Sequence, residues 1–306
     1  MNITKIHSSD QTSVQSILDQ LVIPQADSHK GNNGKVLVIG GSSLFHSASL
    51  WSAEIASHFV DMVHYASTKE NNEIFIHLKS LFHNGIVVKQ KDVDMYVQED
   101  DAVLIGPGVV RSNIKKQITS NKQFDEIIRI KDEAEYAQEL TYYLLHQHPH
   151  KRFVIDAGAL QMIEASWLKI LKEPAIITPH QREFKRLFGI DISELSSDKI
   201  AKIVQQKAQE YSCVILLKSI QDYISDGKKV YIICGGNQGL TKGGSGDILA
   251  GLTAGLFTRS TALISAISAS YVIKTAADEL YKDKGYWYNM SDIIHTIPGV
   301  LRKNLL

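Results

Sequence analysis

Short apolar runs recur along this chain, and most of them end on glycine or on a reactive polar side chain. Lys35–Ile39 runs into Gly40-Gly41-Ser42, Ala102–Ile105 into Gly106-Pro107-Gly108, and residues 153–155 into Asp156. Residues 175–177 run into the block 178–183, and Val214–Leu217 into Lys218; a further run covers 230–233. Runs this short, bounded by such breakers, read as buried strands. Stretches with helical character lie between several of them, at 48–60, 112–119, 134–146 and 198–211. Strands alternating with helices predict crossover units around a mainly parallel central sheet, an α/β fold. In such sheets ligands gather beyond the carboxyl ends of the strands. The groups that end the runs are therefore expected on one rim, although they are scattered in sequence.

The ends of the chain read as packing elements. Asp10 is a plausible cap, with Val14, Ile17, Leu18 and Leu21 at helical spacing after it. Residues 291–306 carry Ile293, Ile294, Ile297 and Leu301 on one face of a helix despite Pro298, and close the core or a subunit contact. The longest apolar region, 248–273, is interrupted by Thr258-Arg259-Ser260-Thr261. Each half is short for a bilayer span of about 20 residues, so a pair of buried helices is expected and no membrane association. Residues 1–30 lack the apolar core of a secretory signal. No repeat or Pro/Gly linker divides the 306 residues, which are expected to form one domain.

Charge and cysteine content exclude several classes. Lysine plus arginine equals aspartate plus glutamate at 33 each, so no basic excess draws the chain to nucleic acid. Cys213 and Cys234 are too few for a disulfide framework or a zinc site, which points to a reducing cytoplasm. GxGxxG, GxxxxGK[ST] and HExxH are all absent. The cluster His146-Gln147-His148-Pro149-His150 lies between a helix and a strand, where a solvated loop is expected rather than a metal site.

The chemistry concentrates in 236–257, GNQGLTKGGSGDILAGLTAGLF. Gly243, Gly244 and Gly246 remove the Cβ atoms that keep a backbone away from a ligand. Asp247 follows near the start of a small-residue helix, whose unpaired N–H groups favour an anion. Phosphate is the ligand this implies, with a carboxylate beside it to take a proton. An ordinary glycine-rich turn capped by Asp247 fits the spacing equally well.

This segment resembles the GGTGD signature of the ribokinase-like superfamily, and in particular of the ADP- or ATP-dependent NAD(P)H-hydrate dehydratases. The resemblance extends over most of the chain. His29-Lys30-Gly31 and the stretch from Gly34 through Ser42 match the family's opening, and Ile105-Gly106-Pro107-Gly108 its central loop. Val154-Ile155-Asp156-Ala157 and Thr178-Pro179-His180-Gln181-Arg182-Glu183-Phe184 match the next two blocks. The fold it implies is a three-layer ribokinase-like one.

The resemblance also implies roles, residue by residue. Asp247 would be the catalytic base and contact the hydrated nicotinamide, with Ala48, Gly106, Gly108 and His180 on the substrate side. Lys218, Ser219, Ile220, Gln221 and Asp222, with Gly244, Ser245 and Gly246, would hold the nucleotide. Glu183 matches a position associated with magnesium through water. Departures fall mostly on the substrate side: Ser47 and Ser49 flank Ala48, Val110 and Gly158 replace usual residues, and Ser219 stands where glycine is usual.

The activity implied is repair of hydrated NADH or NADPH (NADHX or NADPHX). ATP or ADP phosphorylates the C6 hydroxyl, and phosphate is then eliminated. A separate epimerase for the hydrate is an expected pathway partner, and a homo-oligomer is left open. Two readings compete. A small-molecule kinase of the same superfamily needs the same Asp247 and glycine loop. A nucleotide-binding module without catalysis is motivated by the substitutions at Ser47, Ser49, Val110 and Ser219.

Overall fold

The computed structural model describes residues 3–111 and 122–306. The helix expected at 112–119 lies outside the described residues. Ten strands form one sheet: β1 (Ile3–His7), β2 (Lys35–Ile39), β3 (Met62–Ala66), β4 (Ile86–Val88), β5 (Ala102–Ile105), β6 (Arg152–Ile155), β7 (Ile176–Ile177), β8 (Val214–Leu217), β9 (Asp222–Ser225) and β10 (Val230–Cys234). Their order across the sheet is β1-β10-β9-β8-β7-β6-β5-β2-β3-β4. Every pairing is parallel except those of β9 with β8 and β10.

Alternate residues of each strand point to opposite faces, and both faces are covered. Val36, Val38, Leu104 and Val154 pack under the helices Ser47–Ala56, Ser245–Phe257, Ala262–Lys284 and Met290–Leu305. Leu37, Ile39, Ile105 and Ile155 pack under Glu133–Gln147, Gln181–Phe188 and Ser197–Tyr211. Two covered faces explain why the strands read as unbroken apolar runs rather than alternating ones.

The helices flanking 258–261 are separate, Ser245–Phe257 and Ala262–Lys284, and among the described residues no helix is long and apolar enough to cross a membrane. Asp10 does cap Gln11–Leu18, accepting from the Ser13 amide at 3.2 Å, whereas Leu21 lies beyond the helix end. The helix expected over 48–60 is shorter, Ser47–Ala56. Strands β1, β3 and β9 carry polar or charged residues that disguise them, and β4 is only three residues long: β3 is MVHYA, and its His64 is buried against Asp100 at 2.8 Å.

The chain runs from β2 outward to β3 and β4, then crosses back to β5 and continues the other way. Strands β2 and β5 are neighbours, so the loops after them, 40–42 and 106–108, meet where the winding reverses. That reversal opens the crevice in which α/β sheets bind ligands. The loops are knit together: the Gly41 amide donates to Pro107 O at 2.7 Å and the Gly106 amide to Ile39 O at 3.0 Å.

Candidate active site

The residues that end the parallel strands do share one rim. An isolated parallel bridge joins His180 to Lys218, and the Lys218 amide donates to Pro179 O at 2.8 Å. This seats the loops after β7 and β8 side by side. Lys218 Nζ then donates to Asp156 Oδ1 at 2.6 Å, and Thr178 Oγ1 donates to the same oxygen at 2.7 Å. The loops after β6, β7 and β8 are thus tied through one buried carboxylate.

The glycine-rich segment completes the rim. Gly244, with φ of 105°, is the turn before Ser245–Phe257, a conformation that only glycine takes without strain. A Cβ there would also lie 2.5 Å from the Trp51 ring. The space expected for a ligand at Gly244 is therefore filled by the protein. Gly243 is different: nothing lies within 4 Å of where its Cβ would be. A Cβ on Gly246 would sit 3.3 Å from Lys218 Nζ, so the ammonium lies directly under the first turn of the helix. Ser52 Oγ donates to Asp247 O at 2.8 Å, and a Cβ on Gly251 would fall 2.4 Å from Ser52 O. The small residues of this helix let Ser47–Ala56 pack against its backbone.

Electrostatics single out Asp247. Burial pushes its carboxyl up, the neighbouring Asp156 and Glu183 charges push it further, and Lys218 opposes them, leaving it at about 7. A carboxylate there is poised between its two forms at neutral pH, as a general base requires. Lys218 answers to the same groups. Burial pulls its ammonium down, but Asp156, Glu183 and Asp247 together raise it above its ordinary range, so it stays a cation.

His180 and Glu183 form a reciprocal cap on Gln181–Phe188. His180 Nδ1 accepts from the Arg182 and Glu183 amides, both at 3.1 Å, and Glu183 Oε2 accepts from the His180 amide at 2.9 Å. Two donors at Nδ1 leave the ring proton on Nε2, which lies 3.5 Å from Glu183 Oε1 at the half-exposed edge of the ring. Glu183 is buried, and its other oxygen accepts from Gln161 Nε2 at 2.9 Å. Both carboxylate oxygens already have protein partners, and Lys218 supplies the cation among these carboxylates. Among the described residues no three His, Cys, Asp or Glu side chains converge for a metal. Direct ligation of Mg2+ by Glu183 would displace these partners, so the contact its oxygens leave room for is one through water.

The central-loop glycines serve packing. A Cβ on Gly106 would lie 1.8 Å from Asp156 O, and one on Gly108 2.9 Å from Phe45 O and 3.0 Å from Ala48 Cβ. The Gly106 amide and carbonyl are also spent, on Ile39, Val109 and Gly158. Gly106 and Gly108 shape the rim, and they bring Ala48 against it. Gly158 is likewise pressed to Val109 O, which a Cβ would approach to 2.2 Å. Small size there is a packing demand of this chain.

In the segment expected to hold nucleotide, Ile220 is 91% exposed at the mouth of the groove lined by His180, Lys218 and Ser219. The Ser219 hydroxyl accepts from Gln181 Nε2 at 3.4 Å. Asp222 is buried as the first residue of β9, where it accepts from the Ser219 amide at 2.9 Å and the Ser270 hydroxyl at 2.7 Å. Asp222 therefore closes the turn from within, and it lines the recess beneath Gly246 rather than the groove beside His180. Two contributors escaped the sequence reading. Trp51 lies one turn beyond Ala48 on the Ser47–Ala56 helix, where no motif marks it. Lys274 left a signal: a lone charge inside the apolar stretch 262–277 is rarely buried without a purpose.

Residues 36–299 match the family described as NAD(P)H-hydrate dehydratase. The ADP-dependent (S)-NAD(P)H-hydrate dehydratase of Cenarchaeum symbiosum is 30% identical over 292 residues, covering 90% of this chain and 91% of that protein. The bifunctional NAD(P)H-hydrate repair enzyme of Methanocaldococcus jannaschii is 32% identical over 282 residues; the match covers 90% of this chain but 50% of that longer protein. Among solved structures, a ribokinase-like superfamily protein of Enterococcus faecalis superposes with a TM-score of 0.77 at 23% identity, covering 99% of this chain and 96% of that one. The ADP/ATP-dependent NAD(P)H-hydrate dehydratase of Bacillus subtilis, co-crystallised with ATP and Mg2+, gives 0.76 at 22% identity, covering 96% and 97%. With its sheet order, its glycine-turned helix and these matches, the chain belongs to the NAD(P)H-hydrate dehydratase family and has the ribokinase-like fold.

Proposed function

We propose that this protein dehydrates NADHX or NADPHX with ADP or ATP as phosphoryl donor, as a single catalytic domain in the cytoplasm. The observation that carries the reading is the Asp247 carboxyl, held near neutrality above the Lys218 cation at the mouth of a glycine-turned helix. Asp247 takes the proton of the C6 hydroxyl as that oxygen attacks the terminal phosphoryl group. Backbone N–H groups at 244–246 and the Lys218 ammonium offset the charge on the transferring group. Phosphate then leaves with the C6–O electrons, and loss of a C5 proton closes the ring double bond.

On the substrate side, the Nε2 proton of His180 and the backbone near Ala48 face the dinucleotide. Magnesium would arrive with the nucleotide phosphates and offset part of their charge. The names of the relatives support the nucleotide dependence. A separate epimerase acting on the same hydrate is the pathway partner this reading calls for; the relatives named bifunctional repair enzymes are about twice the matched length.

The test is NADHX or NADPHX with ADP or ATP, following absorbance of the reduced cofactor and phosphate release together. Both signals rising in parallel are expected. Nucleotide consumption with a stable phosphorylated product of another substrate would establish the kinase reading instead.

Two substitutions probe the rim. Gly243→Ala meets no protein atom, so the fold should be unchanged. A rise in the nucleotide KM with unchanged melting temperature is expected, because the open space is where the ligand backbone approach occurs; an unaltered KM would remove Gly243 from the site. His180→Ala should raise the KM for NAD(P)HX while leaving nucleotide affinity within about twofold. It should also lower stability by about 1 kcal/mol, because Nδ1 caps two helix amides. Thermal denaturation beside steady-state kinetics separates the two effects.

A further inference from the structure

Lys274 is buried on the Ala262–Lys284 helix, outside every motif of the sequence described above. Its ammonium donates to Ile220 O at 3.1 Å and lies 3.6 Å from Asp222 Oδ2. It also reaches Gly235 O at 3.5 Å. Ile220 and Asp222 belong to the turn after β8. Gly235 opens the loop that leads through Gly239 to Gly244. One cation therefore joins the two loops that frame the recess beneath Gly246, and its side chain is part of that recess wall together with Lys218, Ser219 and Ser245. Asp222 completes the tie, because its other oxygen holds the Ser219 amide at 2.9 Å.

We propose that Lys274 is a positioning residue for the nucleotide: it fixes the spacing between the 218–222 turn and the glycine-rich loop, so that Lys218, Ser219 and the first turn of Ser245–Phe257 meet the phosphates together. The inference rests on the nucleotide-dependent reading above. A charge-assisted donor to a backbone carbonyl is geometrically strict, and losing it leaves the Ile220 carbonyl without its donor and the buried Asp222 charge without its counter-ion. The loops would then find several spacings, and the bound one would have to be selected at the expense of affinity.

Lys274→Met keeps the aliphatic stem and removes the cation. The expected result is a rise of about tenfold or more in the KM for ADP and ATP, with the NAD(P)HX KM and the saturated kcat within about twofold of wild type. Lys274→Arg, which restores a donor, should recover most of the nucleotide affinity. Lys274→Gln keeps a shorter, neutral donor; it is the variant to measure if the Met variant does not fold, and the same KM split, smaller in size, is expected of it. An unchanged nucleotide KM, or equal increases for both substrates, overturns the proposal. If wild type shows no turnover with either nucleotide, the dehydratase reading fails by itself. Calorimetric ADP binding then carries the test of Lys274, with weaker binding to the Met variant expected and equal binding overturning it.

Discussion

Asp247→Asn is expected to lose a few hundredfold or more in kcat while becoming more stable than wild type above neutral pH. The kinetic loss follows from the amide's inability to accept the hydroxyl proton, a role worth about 10²–10⁴-fold. The gain in stability follows from the raised carboxyl. Between its ordinary value of 3.8 and about 7 the folded protein holds a proton that the unfolded chain has released. Stability from this group therefore falls as pH rises through that window and stays low above it. Asparagine carries no such penalty. The melting temperature of the variant should exceed that of wild type by roughly a few degrees at pH 8 and converge with it toward pH 4.

For the same reason, wild-type kcat/KM should climb with pH through about 7 on its acid limb, as the base becomes free of its proton. Turnover within about threefold of wild type, with no stability gain at pH 8, would leave Asp247 as a helix-terminal residue without chemistry.

Gly106→Ala should be the most damaging single methyl group in the molecule. Its Cβ would meet Asp156 O at 1.8 Å and Asp156 C at 2.8 Å, with φ at 125°. Neither neighbour is a flexible side-chain end, so the β5 and β6 loops must separate. A loss of more than about 3 kcal/mol is expected, seen as a drop in melting temperature of roughly 6–12 °C. Activity should fall beyond what the lost stability explains, because Asp156 holds Lys218 in place. Gly189→Ala is the control. It too has positive φ, 71°, but nothing lies within 4 Å of its Cβ, so only the backbone penalty of about 1 kcal/mol remains. Equal effects of the two would mean that crowding at the loop crossing is not what Gly106 relieves.

Much of this architecture was legible in the sequence. The apolar runs at 35–39, 102–105, 153–155 and 214–217 are strands because their residues are buried on both faces. Such strands need no long-range information to be recognised. The polar groups ending them were placed on one rim by connection rules alone. Strands β3, β4 and β9 were not legible. Each is short or carries polar residues, and each is held by its neighbours in the sheet more than by its own pattern.

The motif glycines divide in a way that no local pattern could show. Gly243 faces open space, Gly244 faces Trp51, and Gly106 faces Asp156 O. A missing Cβ looks the same in sequence whether a ligand or the protein fills the gap. The likeness of the blocks around Gly106, His180, Lys218 and Asp247 to a known family was sufficient for the fold and for the family. Only the tertiary structure decided the state of these residues. Lys218 is paired with Asp156, Glu183 is spent on Gln161 and a helix cap, and Lys274 ties together two loops that meet only after folding. Charge state, hydrogen-bond satisfaction and loop spacing depend on which groups are near once water is excluded, and chain order does not contain those distances.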